Sequence, residues 1–184
     1  MFTIQLIIFI VGTVIIVWVS RSSLRDLQSH GFYRFIAWEI ILIMFAANVR
    51  YWIENPFSVQ QIISWALLII SLILIIQGVQ LFRHEGEINP ERADATLVSI
   101  EKTTVLVTTG VYRYIRHPFY SSLLFLTWGI LFKQITATLL VLAITATVFL
   151  YVTAKQEESE NIEYFGDAYR EYMDTTKMFI PYVL

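Results

Sequence analysis

Residues 116–154 read RHPFYSSLLFLTWGILFKQITATLLVLAITATVFLYVTA. Two apolar runs, Pro118–Phe132 and Ile135–Ala154, are separated only by Lys133 and Gln134. So short a polar break leaves no room for a wandering loop. The two runs are expected to fold back on each other as an antiparallel helical hairpin. Pro118 suits the first turn of the first arm, where its missing N–H costs nothing. That arm holds about 15 residues, roughly 22 Å of helix, against a hydrocarbon core of roughly 30 Å. Arg116-His117-Pro118 is therefore drawn to, or below, the headgroup level. The hairpin places Thr147–Leu150 level with His117. It places Glu157 and Glu158 about two turns beyond, roughly 10 Å further into the cytoplasm.

Working outward, three more apolar runs precede the hairpin: Phe2–Ser20, Phe35–Ile53 and Phe57–Phe82. The chain is 57% hydrophobic and 15% charged over 184 residues, more apolar surface than a soluble interior of that size can hide. The charges cluster and leave long stretches empty, as membrane spans do. The expected class is an all-α polytopic membrane protein. It has about five transmembrane helices, a C-terminal helical hairpin and a cytoplasmic tail lid. Residues 1–184 read as one membrane domain: a three-helix scaffold over 1–82, a cytoplasmic connector over 83–116, and the hairpin and tail over 117–184. Phe2–Ser20 lacks a basic leader and exceeds an ordinary signal core, so it reads as a retained span.

Lys and Arg placement orients the chain. Arg21, Arg25 and Arg34 fall between spans one and two. Arg83, Arg92, Lys102, Arg113 and Arg116 fall between spans three and four, and Lys155, Arg170 and Lys177 in the tail. Arg50 and Lys133 alone fall on the other side. The N-terminus is expected outside and the C-terminus in the cytoplasm, in a bacterial or archaeal inner membrane. A net charge of −2 implies no nucleic-acid partner, and the absence of cysteine excludes disulfides, thiolate metal sites and cysteine nucleophiles. With three His in all, no metal centre is expected. The oligomeric state stays open.

Two constellations carry chemistry. The first is Gly110-Val111-Tyr112-Arg113-Tyr114-Ile115-Arg116-His117-Pro118-Phe119-Tyr120. The second is Glu157-Glu158 with Phe165-Gly166-Asp167-Ala168-Tyr169-Arg170-Glu171-Tyr172 and then Pro181. Taken alone, the first is an interfacial anchor with an aromatic belt, and the second a solvated helix face ending at a glycine cap. Together they put basic groups on one arm of a hairpin and acidic groups on the other, on the same side. Opposite charges at the two ends of a cleft suit a zwitterionic ligand with ribose and amino-acid parts. Carboxylates accept from ribose hydroxyls, and Arg or backbone donors hold a carboxylate.

The pattern Gly-x-Tyr-Arg-x-x-Arg-His-Pro-x-Tyr, then Glu-Glu, then Phe-Gly-Asp-x-Tyr-x-x-Tyr, resembles the C-terminal half of the isoprenylcysteine carboxyl methyltransferase family. Phospholipid N-methyltransferases share a related core. The resemblance covers about Leu106–Pro181; the first three spans match only in being apolar. It implies S-adenosylmethionine as cofactor, held by residues 117–184. Gly110, Tyr112, Arg116, His117, Pro118, Tyr120, Glu157 and Glu158 would line the cofactor, with Glu157 and Arg116 as catalytic candidates. The implied reaction is methyl transfer at the cytoplasmic face to a lipid-like acceptor from the bilayer, a lipid or prenylated carboxylate or amine.

There are departures. Carboxyl-methylating relatives commonly carry an Arg one turn before the glutamate pair; here that position is Thr153, and Asn161 stands where an apolar residue is usual. An Arg there would hold a substrate carboxylate. Lys155 points to another face, which leaves Arg170 or Lys177 to supply the charge from the lid. Glu39, inside span two, either pairs locally or lines the substrate cavity. Gln77, Gln80 and His84 read as interfacial. Two rival readings remain: an NADPH-dependent reductase related to membrane sterol reductases, which also carry Arg-His-Pro-x-Tyr, and a non-catalytic membrane scaffold.

Overall fold

The computed structural model describes residues 2–86 and 104–183. Arg92 and Lys102, used above to orient the chain, and half of the expected connector lie outside the described residues. The helices are α1 (Phe2–Ser20), α2 (His30–Asn48), α3 (Val59–Glu85), α4 (Pro118–Leu131), α5 (Ala137–Phe165) and α6 (Asp167–Thr175). Four of them, α1, α2 with its following turn, α3 and α5, are long and apolar enough to cross a membrane; α4 is shorter.

The hairpin forms with α4 opening at Pro118, as expected. Its arms nonetheless find their main partners elsewhere: α4 packs chiefly along α3, and α5 chiefly along α2. Small residues allow the α3–α4 approach, since a Cβ on Gly129 would lie 2.9 Å from Leu68 and one on Gly78 3.1 Å from Phe119. Hydroxyls then bond across the seam, from Ser64 Oγ to Gly129 O (2.7 Å) and from Ser71 Oγ to Ser122 O (2.7 Å). Asn48 Nδ2 donates to Ile130 O (2.7 Å) and ties α2 to the far end of α4. The core lies where α2, α4 and α5 meet, around Ile41, Met44, Ile130, Ala143 and Ala146. α1 packs on α2, where Thr13 Oγ1 donates to Glu39 Oε2 at 2.9 Å. Glu39 thus pairs locally, with α1.

Two boundaries differ from expectation, each for a physical reason. α2 begins at His30 rather than Phe35, because Ser29 caps it by accepting from the Phe32 N–H (3.3 Å). Hydropathy reads His30 and Arg34 as loop residues, yet both are buried within the helix. α5 runs eleven residues past Ala154, to Phe165, so the expected polar tail starts as helix. Gly166 ends it with φ +64° and ψ −134°, a backbone region open essentially to glycine alone.

The turn of the hairpin is packed inside the fold, and Lys133 is buried there. Its ammonium lies 3.5 Å from the Trp65 ring centre and 5.1 Å from that of Trp52, and donates to Gln61 Oε1 at 3.1 Å.

Candidate active site

The site is built where the chain entering α4 meets the C-terminal part of α5. Backbone bonds fix the entry. Lys177 N donates to Tyr114 O (3.0 Å), Arg116 N to Lys177 O (2.8 Å) and His117 N to Met178 O (3.2 Å). The residues after α6 thus run alongside 114–117 as a short parallel bridge. Ser121 Oγ adds a bond to Phe179 O at 2.8 Å. Met178 and Phe179 are buried beside Tyr120, Leu150 and Ala154. The tail residues after α6 thus fold back against the site and form one of its walls.

Within this frame the acidic and basic groups touch. The expectation of a 10 Å separation is corrected: Arg116 Nε and Nη2 both lie 2.8 Å from Glu158 Oε1. The reason is the path of α5, which continues as helix and leans on α2 instead of running straight along α4. Arg116 Nη1 donates onward to Met173 O (3.2 Å) and Thr176 O (2.5 Å), the carbonyls that end α6. A cation at a helix C-terminus satisfies carbonyls that lack intrahelical donors and suits the helix dipole. Arg116 therefore holds α4, α5 and α6 together. Glu158, 3% exposed, also takes Lys155 Nζ on its second oxygen at 3.0 Å.

His117 sits between the two glutamates. Its Nδ1 is 3.9 Å from Glu157 Oε1 and its Nε2 3.6 Å from Glu158 Oε1, both beyond hydrogen-bond length. His117 Nε2 is buried without a hydrogen-bond partner. The ring stacks on Tyr120 at 5.4 Å between centres, and the Tyr120 hydroxyl donates to Glu157 Oε2 in a short bond. Pro118 is buried at the start of α4.

Gly110 and Tyr112 lie apart from this cluster, against the C-terminal end of α3. Gly110 has φ +54°, and a Cβ there would come within 2.6 Å of Leu81, so both the backbone and the space require glycine. Tyr112 stacks on Phe82 (4.9 Å between centres, planes 8° apart) and its carbonyl accepts from the Tyr172 hydroxyl at 2.6 Å. Burial pushes the Tyr169 and Tyr172 phenols well above their ordinary range, and the nearby Glu157 charge raises Tyr169 further. Both therefore act as neutral groups.

Two cavities flank α3. One, of about 790 Å³, is lined by Gln77, Gln80, His84, Gly110 and Arg113. Gln77, Gln80 and His84 thus face a polar cleft away from the charged cluster. The other, about 350 Å³ and mostly apolar, lies among α2, α3 and α4, with Tyr120 on its wall.

Sequence reasoning missed the α2 side of the site. His30 is fully buried and its Nδ1 meets Glu160 Oε2 at 2.6 Å, joining α2 to α5. Arg34 is buried one turn further on, over Trp38 at 5.1 Å. The available signal was the Ser29 cap, which starts the helix early enough to carry both residues inside.

The fold and the site define a class: an all-helical, polytopic membrane protein with a charged cluster beside an apolar groove. The comparisons identify the family. The model of the isoprenylcysteine carboxyl methyltransferase (ICMT) family matches residues 72–163, and the chain belongs to that family. The match begins inside α3, so it takes in more of the scaffold than the sequence motifs suggest, and it stops within α5, before α6. Among similar proteins, methanethiol S-methyltransferase of Pseudomonas deceptionensis is 27% identical over 119 residues, 65% of this chain and 42% of that protein. Methanethiol S-methyltransferase 1 of Bradyrhizobium diazoefficiens is 33% identical over 75 residues, 41% of this chain and 26% of that protein. Methanethiol S-methyltransferase of Pseudomonas sp. (strain GM41(2012)) is 24% identical over 152 residues, 80% of this chain and 54% of that protein. The chain thus spans about half, or less, of the length of these curated relatives. No solved structure gives a significant match.

Proposed function

We propose that this protein transfers a methyl group from S-adenosylmethionine to an apolar acceptor taken from the membrane, at the cytoplasmic face. One observation carries the reading. The His117–Tyr120–Glu157–Glu158 cluster stands at the end of an apolar groove, with Tyr120 shared by both. The residues fit the cofactor, because buried His117 Nε2 has no hydrogen-bond partner and lies beside two carboxylates that can accept from ribose hydroxyls. His117, Tyr120 and Glu157 would hold it, and Pro118 would shape the turn beneath. Bound there, its sulfonium supplies an already activated methyl group, so the chemistry needs no metal.

The work of the chain is then alignment and the exclusion of water. Arg116 contributes by position: its bonds to Glu158 and to the end of α6 fix the wall that carries Met178 and Phe179. Gly110 and Tyr112 brace that wall through Tyr172. The names of the relatives favour a sulfur acceptor, and the apolar groove also accommodates a lipid-like carboxylate. The cytoplasmic placement is supported by the outer end, where Lys133, one of the two cations counted against it, is sequestered by aromatic rings.

The test is titration of the purified, detergent-solubilised protein with S-adenosylhomocysteine in a calorimeter, followed by incubation with membrane extracts and cofactor labelled in its methyl group. Saturable binding and a labelled extractable product are expected. A folded sample that binds nothing ends the proposal, and binding of NADPH instead selects the reductase reading.

A further inference from the structure

An acceptor that carries a proton must lose it on methylation, and the two glutamates of the cluster are already engaged. Glu158 is held by Arg116 and Lys155, and Glu157 accepts the Tyr120 hydroxyl. A second acid–base pair lies one turn further along α5. His30, fully buried at the start of α2, meets Glu160 Oε2 through Nδ1 at 2.6 Å. Its other ring nitrogen, Nε2, is buried without a hydrogen-bond partner. An ionised carboxylate only accepts, so the bond to Glu160 puts the imidazole proton on Nδ1 and leaves a lone pair on Nε2. A buried polar atom left bare costs about 1–3 kcal/mol, and a donor brought in by a ligand relieves that cost.

The pair extends both walls of the site. Glu160 follows Glu157 by three residues and shares its face of α5. His30 precedes Arg34 and Trp38 by four and eight residues, on the face of α2 that lines the apolar groove. It stands one turn, about 6 Å of helix, beyond Arg34. The charges that act on the ring are Glu160 and Glu157 from α5 and Arg34 from its own helix. Arg25 and Asp26, in the turn before α2, are exposed.

Resting on the methyl-transfer reading, we propose that His30 is the base that receives the acceptor's proton, with Glu160 fixing its ring. The acceptor's bond to hydrogen breaks, and the proton goes to His30 Nε2. The electron pair left on the acceptor forms the bond to the methyl carbon. The carbon–sulfur bond of the sulfonium breaks, and its pair returns to that sulfur as a neutral thioether. The positive charge lost from the sulfonium reappears on the imidazolium, beside Glu160 and Glu157. The carboxylates therefore face a compensating cation before and after transfer, which matters where the effective dielectric is low. The imidazolium releases its Nε2 proton to water as the products leave. An acceptor that arrives as an anion makes no use of His30.

The test uses two thiols: 1-octanethiol, protonated at neutral pH, and 4-nitrothiophenol, already ionised there. Each is incubated with labelled cofactor and the full protein as wild type, His30→Asn and Glu160→Gln. S-adenosylhomocysteine affinity is measured in parallel. Asparagine keeps a donor where Nδ1 stands and removes Nε2. At neutral pH H30N should lower kcat/KM for octanethiol by about 50-fold or more, and for nitrothiophenol by less than about threefold. S-adenosylhomocysteine affinity should stay within about twofold, and raising the pH toward the thiol's own ionisation should restore the octanethiol rate. E160Q should show the same split at about tenfold, because the ring loses the partner that fixes its tautomer. A merely structural role lowers both thiols together. That result, or an unchanged octanethiol rate in H30N, overturns the proposal. If neither variant folds, the wild-type pH profile decides. With a base in the site the octanethiol rate levels off well below the thiol's own ionisation. A rate that climbs about tenfold per pH unit all the way to it overturns the proposal. So does a wild-type protein that binds S-adenosylhomocysteine yet methylates neither thiol, which leaves methyl transfer itself standing. Absence of S-adenosylhomocysteine binding to the wild type takes both readings down.

Discussion

The two ends of α4 each bury a cation, and the two are held in opposite ways. At its N-terminal end Arg116 is bound by a carboxylate and by helix-terminal carbonyls. At its C-terminal end Lys133 is bound by the faces of Trp65 and Trp52 and by one amide oxygen. The N-terminal end mixes acid and base and leaves His117 Nε2 without a hydrogen-bond partner beside them. The C-terminal end closes on itself: Gln61 accepts from the Lys133 ammonium and returns a bond to Lys133 O at 3.2 Å. A buried charge held by other charges makes a polar site that can exchange partners with a ligand. A buried charge held by aromatic faces fastens helices. In the sequence both are single basic residues at the edge of an apolar run.

Changes at the two ends should therefore separate stability from activity. The largest effect is expected for Glu158→Ala, which leaves Arg116 buried without its carboxylate and costs about 3 kcal/mol. Denaturation in micelles measures it, and S-adenosylhomocysteine binding should disappear with it. An E158A protein as stable as wild type would erase the distinction. Next comes Glu157→Gln, which keeps the shape but removes the charge beside His117 and Tyr120. Methyl transfer should fall about 100-fold, roughly 2.7 kcal/mol in barrier, with little change in stability. A fall of less than threefold would take Glu157 out of the chemistry.

At the C-terminal end of α4 the pattern inverts. Trp65→Leu removes the closest face from Lys133 and should cost about 2 kcal/mol of stability, with kcat and KM unchanged. A kinetic effect as large as that of E157Q would mean the ends are not independent. A smaller change, Tyr172→Phe, removes one buried hydrogen bond to Tyr112 O and should cost about 1 kcal/mol near neutral pH. Burial pushes the Tyr172 phenol up, so the folded chain keeps its proton where the unfolded chain has released it. The stability this group contributes is complete below the unfolded value near ~10 and is lost as the pH rises beyond it. The gap between wild type and Y172F should accordingly narrow in melts above pH 10. Smallest of all is Arg170→Ala, which breaks an exposed pair with Asp167. Stability should hold to within about 0.5 kcal/mol and acceptor KM should not move. A raised KM in that variant would place the acceptor's charge partner in the tail.

The sequence by itself determined the local features, because local spacing encodes them. Long apolar runs state their own helices: α1 fills Phe2–Ser20, and Pro118 opens α4 where a proline is tolerated. The two-residue break at Lys133-Gln134 forces the chain to reverse. The Arg-His-Pro-x-Tyr and Glu-Glu motifs, carried on the two arms of that hairpin, point to one membrane edge and to the family. The tertiary structure alone decided which polar residues converge and how closely. Arg116 and Glu158 meet in direct contact because α5 leans on α2 and runs on to Phe165. His30 and Arg34 belong to the buried side of α2 because Glu160 and Trp38 receive them. Hydropathy assigns a charged residue its cost in isolation. Whether that cost is met depends on a partner distant in the chain, and packing between helices, not periodicity within one, brings the partner into reach.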